Sequence, residues 1–273
     1  MNFPLALALM AAIDFDAIWN WDDPAESEKK FRALPASAEV QTQIARAQGL
    51  QGKFDEAHKT LDGVVTNSPA SEVRYLLERG RVFNSSGKSD QARPLFRAAF
   101  EKAQAGQLED LAVDAAHMLG ILDGNAWNLQ ALALAEKSAD PKAKNWVGSL
   151  LNNIGWAHYD KGEFKQALAA FERDVKWFDE RKKTEQARIA RYSVGKTLRA
   201  LGRYDDALAQ QRAIEKLVVD GYVFEELAEC LLALKKPIEA RTYFGLALGE
   251  LSKDLWFVAN ETNRLARLKQ LGQ

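Results

Sequence analysis

Three histidines and one cysteine are the side chains here best suited to acid–base, metal or nucleophilic chemistry. His58, His117 and His158 are widely separated, and none has a second histidine four residues away, the spacing that puts two metal ligands on one helix face. Asp114 and His117 lie three apart and could share a hydrogen bond on a helix, but no candidate nucleophile is identifiable beside them. Cys230 lies in Leu227-Ala228-Glu229-Cys230-Leu231-Leu232, where a small packed residue is expected rather than a reactive thiol. As the single cysteine, it excludes an intrachain disulfide. The sequence has no Gly-x-Gly-x-x-Gly, no Gly-x-x-x-x-Gly-Lys-Ser/Thr loop and no Gly-x-Ser-x-Gly. We therefore expect no catalytic residue, no metal and no cofactor. An enzyme whose site is assembled across the fold is the third reading of function.

The elements that would position these residues are helical. Hydrophobic residues make up 47% of the 273 and charged residues 27%, which suits a soluble chain with a sizeable core. Good helix formers dominate, and no Ser/Gly/Pro-rich linker interrupts them. With 37 basic and 38 acidic residues there is no basic footprint, so no nucleic-acid partner is expected. The run Arg181-Lys182-Lys183 follows Asp179-Glu180 and reads as a solvated helix end. Phe3 to Ala12 is an apolar run of signal-peptide length, but no Lys or Arg precedes it. The expectation is a cytoplasmic protein, with secretion or a periplasmic location as the lesser reading. No segment is long enough to span a membrane.

A phrase recurs along the chain: Gly52-Lys-Phe-Asp-Glu-Ala57, Gly87-Lys-Ser-Asp-Gln-Ala92, Gly162-Glu-Phe-Lys-Gln-Ala167, Gly202-Arg-Tyr-Asp-Asp-Ala207 and Lys235-Lys-Pro-Ile-Glu-Ala240. The closing alanines are 35, 75, 40 and 33 residues apart, and the longest interval leaves room for one degenerate unit. Gly at the turn supplies a left-handed backbone that ends a first helix. Gly or Ala on the first helix and Ala on the second mark where two axes approach most closely. In the degenerate third unit, Leu111 to Leu122 and Ala126 to Ser138 read as two helices about Gly124-Asn125, with the register left open. At the ends, Asp23-Pro24-Ala25-Glu26 is a helix start, with Ser27, Phe31 and Leu34 in the slots of a second helix. Asp254 to Leu271 reads as one amphipathic capping helix carrying Trp256, Val258 and Leu265.

The clearest unit has Leu151, Ile154-Gly155, His158, Gly162, Phe164, Ala167 and Phe171, and it resembles the tetratricopeptide repeat. Its likeness is greatest to the repeats of kinesin light chains, and the whole chain is similar to stand-alone bacterial tetratricopeptide proteins. The resemblance implies an all-α, right-handed α-solenoid of about six helix pairs with capping helices at both ends. The expected organisation is an N-terminal extension and capping half-repeat over 1–37, an array over 38–255 and a capping helix over 256–273. The units of the array fall near 38–71, 73–106, 108–141, 148–181, 188–220 and 221–254.

Members of the family bind extended peptides or helices on the face lined by the first helix of each pair. Projected onto this chain, that face carries Thr42 and Arg46, then Arg74, Leu77, Arg81 and Asn84. It continues with Asn152, Asn153, Trp156 and Tyr159, then Tyr192, Lys196 and Arg199, and ends on Tyr222, Glu225 and Glu229. The candidate peptide-binding residues are Asn152, Asn153, Trp156, Tyr159, Tyr192, Lys196, Arg199, Arg81 and Arg46. The family's carboxylate clamp for chaperone C-termini is not expected, because its two basic slots carry Ile189 and Ser193. The resemblance thus implies a non-enzymatic adaptor or scaffold that binds a protein or peptide ligand, with a homo-oligomer open. The alternative is a regulatory sensor whose groove binds a small peptide or metabolite.

Overall fold

The computed structural model describes residues 13–273, so the apolar run over 3–12 lies outside the described residues. Among the described residues every regular element is a helix, and none is long and apolar enough to cross a membrane. The chain divides between Leu122 and Asp123 into two compact units. The first holds α1 (Pro24–Arg32), α2 (Ala38–Leu50), α3 (Phe54–Asp62), α4 (Pro69–Ser85), α5 (Ser89–Ala105) and nearly all of α6 (Glu109–Asp123). The second holds α7 (Asn125–Lys137), the single turn α8 (Pro141–Lys144), α9 (Trp146–Tyr159), α10 (Phe164–Glu180), α11 (Thr184–Ala200) and α12 (Tyr204–Glu215). It continues through α13 (Gly221–Ala233), α14 (Pro237–Leu251), α15 (Leu255–Asn260) and α16 (Thr262–Gly272). Within each unit helices pack mainly on those next or next but one along the chain, as in α4 on α5 and α10 on both α9 and α11. The fold class is therefore an all-α repeat solenoid.

The close approach inside a pair has a specific cause. Phe96 and Phe171 are fully buried on second helices, and each lies sixteen residues after a glycine of the preceding first helix, Gly80 and Gly155. A Cβ on Gly80 would stand 2.5 Å from the Phe96 ring, and one on Gly155 would collide with Phe171 in the same way. Gly195 keeps the spacing but faces Gln211, whose buried amide donates to the Tyr192 carbonyl at 3.1 Å. The turn between the helices recurs too. Gly52, Gly87, Gly162 and Gly202 all have φ between +74° and +77°, and nothing within 4 Å would meet a Cβ there. In the last pair Lys235 occupies this turn at φ +59°, a conformation costly for a side-chain-bearing residue.

The two ends differ in how they meet expectation. Asp23 accepts the Glu26 N–H at 2.9 Å, Pro24 opens α1, and Phe31 is buried, as the sequence predicts. The single C-terminal helix is corrected to two, because the backbone leaves the helical region at Glu261 (φ −111°, ψ 42°). Asp254 caps α15 and sets a register that sends Phe257 into the core. One residue is about 100° around a helix, so Trp256 faces water instead. One buried carboxylate stands out in α10. Asp174 is 1% exposed, its Oδ1 has no hydrogen-bond partner, and burial pushes its pKa up to about 7.

Three outcomes follow for stability. Gly155→Ala should destabilise by about 1–3 kcal/mol through overpacking, and Phe171→Leu in the same chain should recover part of that loss in a denaturant-melt double-mutant cycle. Lys235→Gly should raise the denaturation midpoint, whereas Gly202→Ala should lower stability by roughly 1 kcal/mol from backbone strain alone. Asp174 keeps its proton in the fold at pH values where the unfolded chain has lost it. Its contribution therefore weakens stability as pH rises from about 4 to above 7. The melting-temperature gain of Asp174→Asn over the parent should grow across that window, and a constant gain would refute the assignment.

Candidate functional site

The first helices carry most of the chain's buried charge. In the first unit Arg81, on α4, donates to Glu78 at 2.5 Å and to Asp114 of α6. Arg46, on α2, lies 3.6 Å from the same Glu78 oxygen, so one buried carboxylate joins both predicted arginines. The second Glu78 oxygen is buried without a partner. Burial opposes the charge on Asp114, yet Arg81 and Arg46 outweigh it and hold the carboxyl below its ordinary range. Burial likewise depresses His117, with the two arginines adding to it. The N-terminal segment covers this end. Trp19 and Trp21 stack 4.4 Å apart, and the Arg46 guanidinium lies 5.0 Å from the Trp21 ring centre. Arg74 reaches Asp110 at 3.8 Å. Thr42 and Leu77, projected onto this face, are buried between helices instead.

The other seven candidates belong to the second unit. On α9, the Trp156 indole donates to Asn152 at 3.2 Å, and its ring meets the edges of Tyr159 (5.3 Å) and buried Phe171 (5.2 Å). Asn152, Asn153, Trp156 and Tyr159 are all partly exposed. Trp156 therefore both touches the core and presents surface. On α11, Lys196 and Arg199 converge on Glu226 of α13, at 2.9 Å from the ammonium and 2.6 Å from Arg199 Nε. Glu226 is only 2% exposed; burial works against its charge, but the two cations keep its pKa lowered. Tyr192, whose ring centre is 5.9 Å from the Lys196 ammonium, has its hydroxyl pKa pushed well up by burial.

Sequence periodicity missed the other side of this cluster. Glu225 and Glu229 form an acidic end on paper, but α16 neutralises them. Arg264 binds Glu225, and Arg267 meets Glu229 at 3.0 and 3.1 Å. The signal was present as two arginines three apart on a helix facing two glutamates four apart. Cys230, adjacent in α13, is buried with its thiol pKa pushed up to about 12, which makes it inert. The remaining histidines are engaged singly, His58 with Arg79 at 3.1 Å and His158 with Glu163 at 2.5 Å. What this surface offers is recognition by aromatic rings and amides beside cations already paired.

The sequence model of the tetratricopeptide repeat family matches residues 42–107 and 152–218. Outer dynein arm-docking complex subunit 4 of Danio rerio is 26% identical over 127 residues, which cover 44% of this chain and 26% of that protein. Among solved structures, a signal transduction ATPase with a tetratricopeptide repeat sensor, PH0952 from Pyrococcus horikoshii, superposes with a TM-score of 0.67 at 12% identity. That alignment covers 92% of this chain and 42% of the other, so the chain spans less than half of either protein. NprR in complex with its cognate peptide NprX gives 0.56 at 17% identity, over 94% of this chain and 82% of that one. The structural likenesses show the fold. The two matched stretches, with the glycine turns that recur inside them, carry tetratricopeptide repeats.

Proposed function

We propose that the chain is a non-enzymatic adaptor whose second unit holds an extended peptide segment against α9 and α11. The observation that supports this most is the partly exposed Trp156, Tyr159 and Asn152 constellation beside the Lys196–Glu226–Arg199 cluster. Aromatic rings give large contact area at little entropic cost, and amides can hydrogen-bond a peptide backbone. The ion pairs refine the ligand. A carboxylate on the peptide would compete with buried Glu226 for Lys196 and Arg199, and leaving Glu226 unpaired costs about 3–5 kcal/mol. An apolar or aromatic anchor flanked by neutral residues is favoured over an acidic segment. On the first unit, taken by itself, Arg46 and Arg81, held by Glu78 and Asp114, form a separate candidate contact set.

The alternative, a regulatory sensor for a small peptide, draws support from two structural neighbours. NprR was solved with its peptide NprX, and PH0952 is described as carrying a tetratricopeptide repeat sensor. Both readings use the same face.

Peptides selected from a random library on the purified chain should be enriched in aromatic and aliphatic residues and poor in runs of Asp and Glu. Tyr159→Ala and Trp156→Ala should each weaken the best peptide by about 1–3 kcal/mol in a calorimetric titration. Arg173→Ala, on an exposed site of α10 paired to Glu136, should leave it unchanged. Equal binding by the Trp156 and Tyr159 variants would place the ligand elsewhere.

A further inference from the structure

The second unit has another surface, at the edge where each second helix returns to the next first helix. One bond braces a single turn and two reach from one turn's helix to the next turn. Arg191 of α11 reaches Asp179 at the end of α10 (2.6 Å), Arg188 reaches Asp220 at the head of α13 (3.2 Å), and the Tyr222 hydroxyl reaches Asp254 at the head of α15 (3.3 Å). Along this edge large apolar side chains stand in water. Leu217 is 75% exposed and Val219 69%, in the turn before α13; Leu255 is 83% exposed and Trp256 61%, at the start of α15. Their neighbours Val218 and Phe257 pack into the core, so the fold is already satisfied without them.

Charge distinguishes this edge from a random scatter of apolar residues. Lys182, Lys183 and Lys216 are exposed in the same set of turns and have no ion-pair partner among the described residues. The acids nearby are engaged: Asp220 and Asp254 cap helices, and Asp179 is held by Arg191. Three cations are thus without an ion pair, while the nearby carboxylates accept hydrogen bonds from helix N-termini or arginine. The apolar groups stand at two separate turns, before α13 and at the start of α15, so a rigid partner would need a separate pocket for each pair. A soft interface needs none.

We propose that this edge docks on the surface of a bilayer containing anionic lipid, with Leu255, Trp256, Leu217 and Val219 entering the headgroup boundary and the three lysines facing lipid phosphates. Trp favours that depth because its ring is amphipathic. Reversible anchoring of this kind takes two signals, apolar insertion and basic charge, and the edge carries both. The inference is independent of the peptide-binding face on α9 and α11.

Flotation of the full chain with vesicles tests it. Vesicles of phosphatidylcholine with phosphatidylglycerol should carry the protein, and vesicles of phosphatidylcholine alone should not, with binding falling as salt rises. Leu255→Ser with Trp256→Ser should reduce the bound fraction about tenfold. Lys182→Glu, Lys183→Glu and Lys216→Glu together should also abolish the preference for anionic vesicles. All these side chains are exposed, so the variants should melt like the parent. Absence of flotation with anionic vesicles, or unaltered binding by both variants, would overturn the proposal. A dimer of the parent on a sizing column that the Leu255/Trp256 variant loses, without vesicle binding, would also overturn it and make the edge a protein contact.

Discussion

The contact between a helix backbone and an aromatic ring sixteen residues later sets the geometry of each well-formed pair. Where Gly80 and Gly155 expose bare backbone, Phe96 and Phe171 lie flat against it, and the two axes draw closer than any side chain would permit. Burying a whole phenylalanine in this way is worth about 1.5–3 kcal/mol, and the glycine's intrinsic cost in a helix is about 1 kcal/mol, so the trade favours the pair. At Gly195 the partner is Gln211, and its amide bond to Tyr192 replaces dispersion with a directed interaction. A pair can thus keep its spacing while exchanging the chemistry that enforces it.

Between pairs, the linkage is partly ionic. Glu78 gathers Arg46 and Arg81 from two first helices, and Glu226 gathers Lys196 and Arg199 while its neighbour Glu225 takes Arg264. Each glutamate is buried and each cation only partly so. The positive face expected of this surface is therefore largely cancelled from beneath, and its remaining distinction is aromatic. The bias of the proposed ligand towards apolar anchors comes directly from that cancellation.

Much of this was legible beforehand because it is local. The turn glycines, the start of α1 at Asp23 and the close helix approach at Gly155 all follow from residues within about one repeat of each other, whereas the Phe171 ring that fills the approach is seen only in the structure. The break at Glu261 was not legible, since Thr262 to Gly272 continues an apolar period that a single helix would also satisfy. Nor were the ion pairs. Periodicity gives the face on which Lys196 and Arg199 lie, but their reach to a glutamate about 30 residues on depends on how two pairs stack. Thr42 and Leu77 show the same limit: a residue at the rim of a face can point outward or between helices, and a modest rotation decides which.

The bonds described in the second unit join residues at most 39 positions apart, as Glu225 and Arg264 are. No part of that unit must wait for a distant segment before it gains its contacts. Closing such short loops costs little chain entropy, and low contact order is associated with rapid folding. Pairs can then form in the order in which the ribosome delivers them, each new pair condensing on the one before it. Helix α16 emerges well after α13 and brings the arginines that neutralise Glu225 and Glu229. Until then, α13 presents two uncompensated carboxylates, so the emergence of α16 itself switches off that acidic patch of the nascent chain.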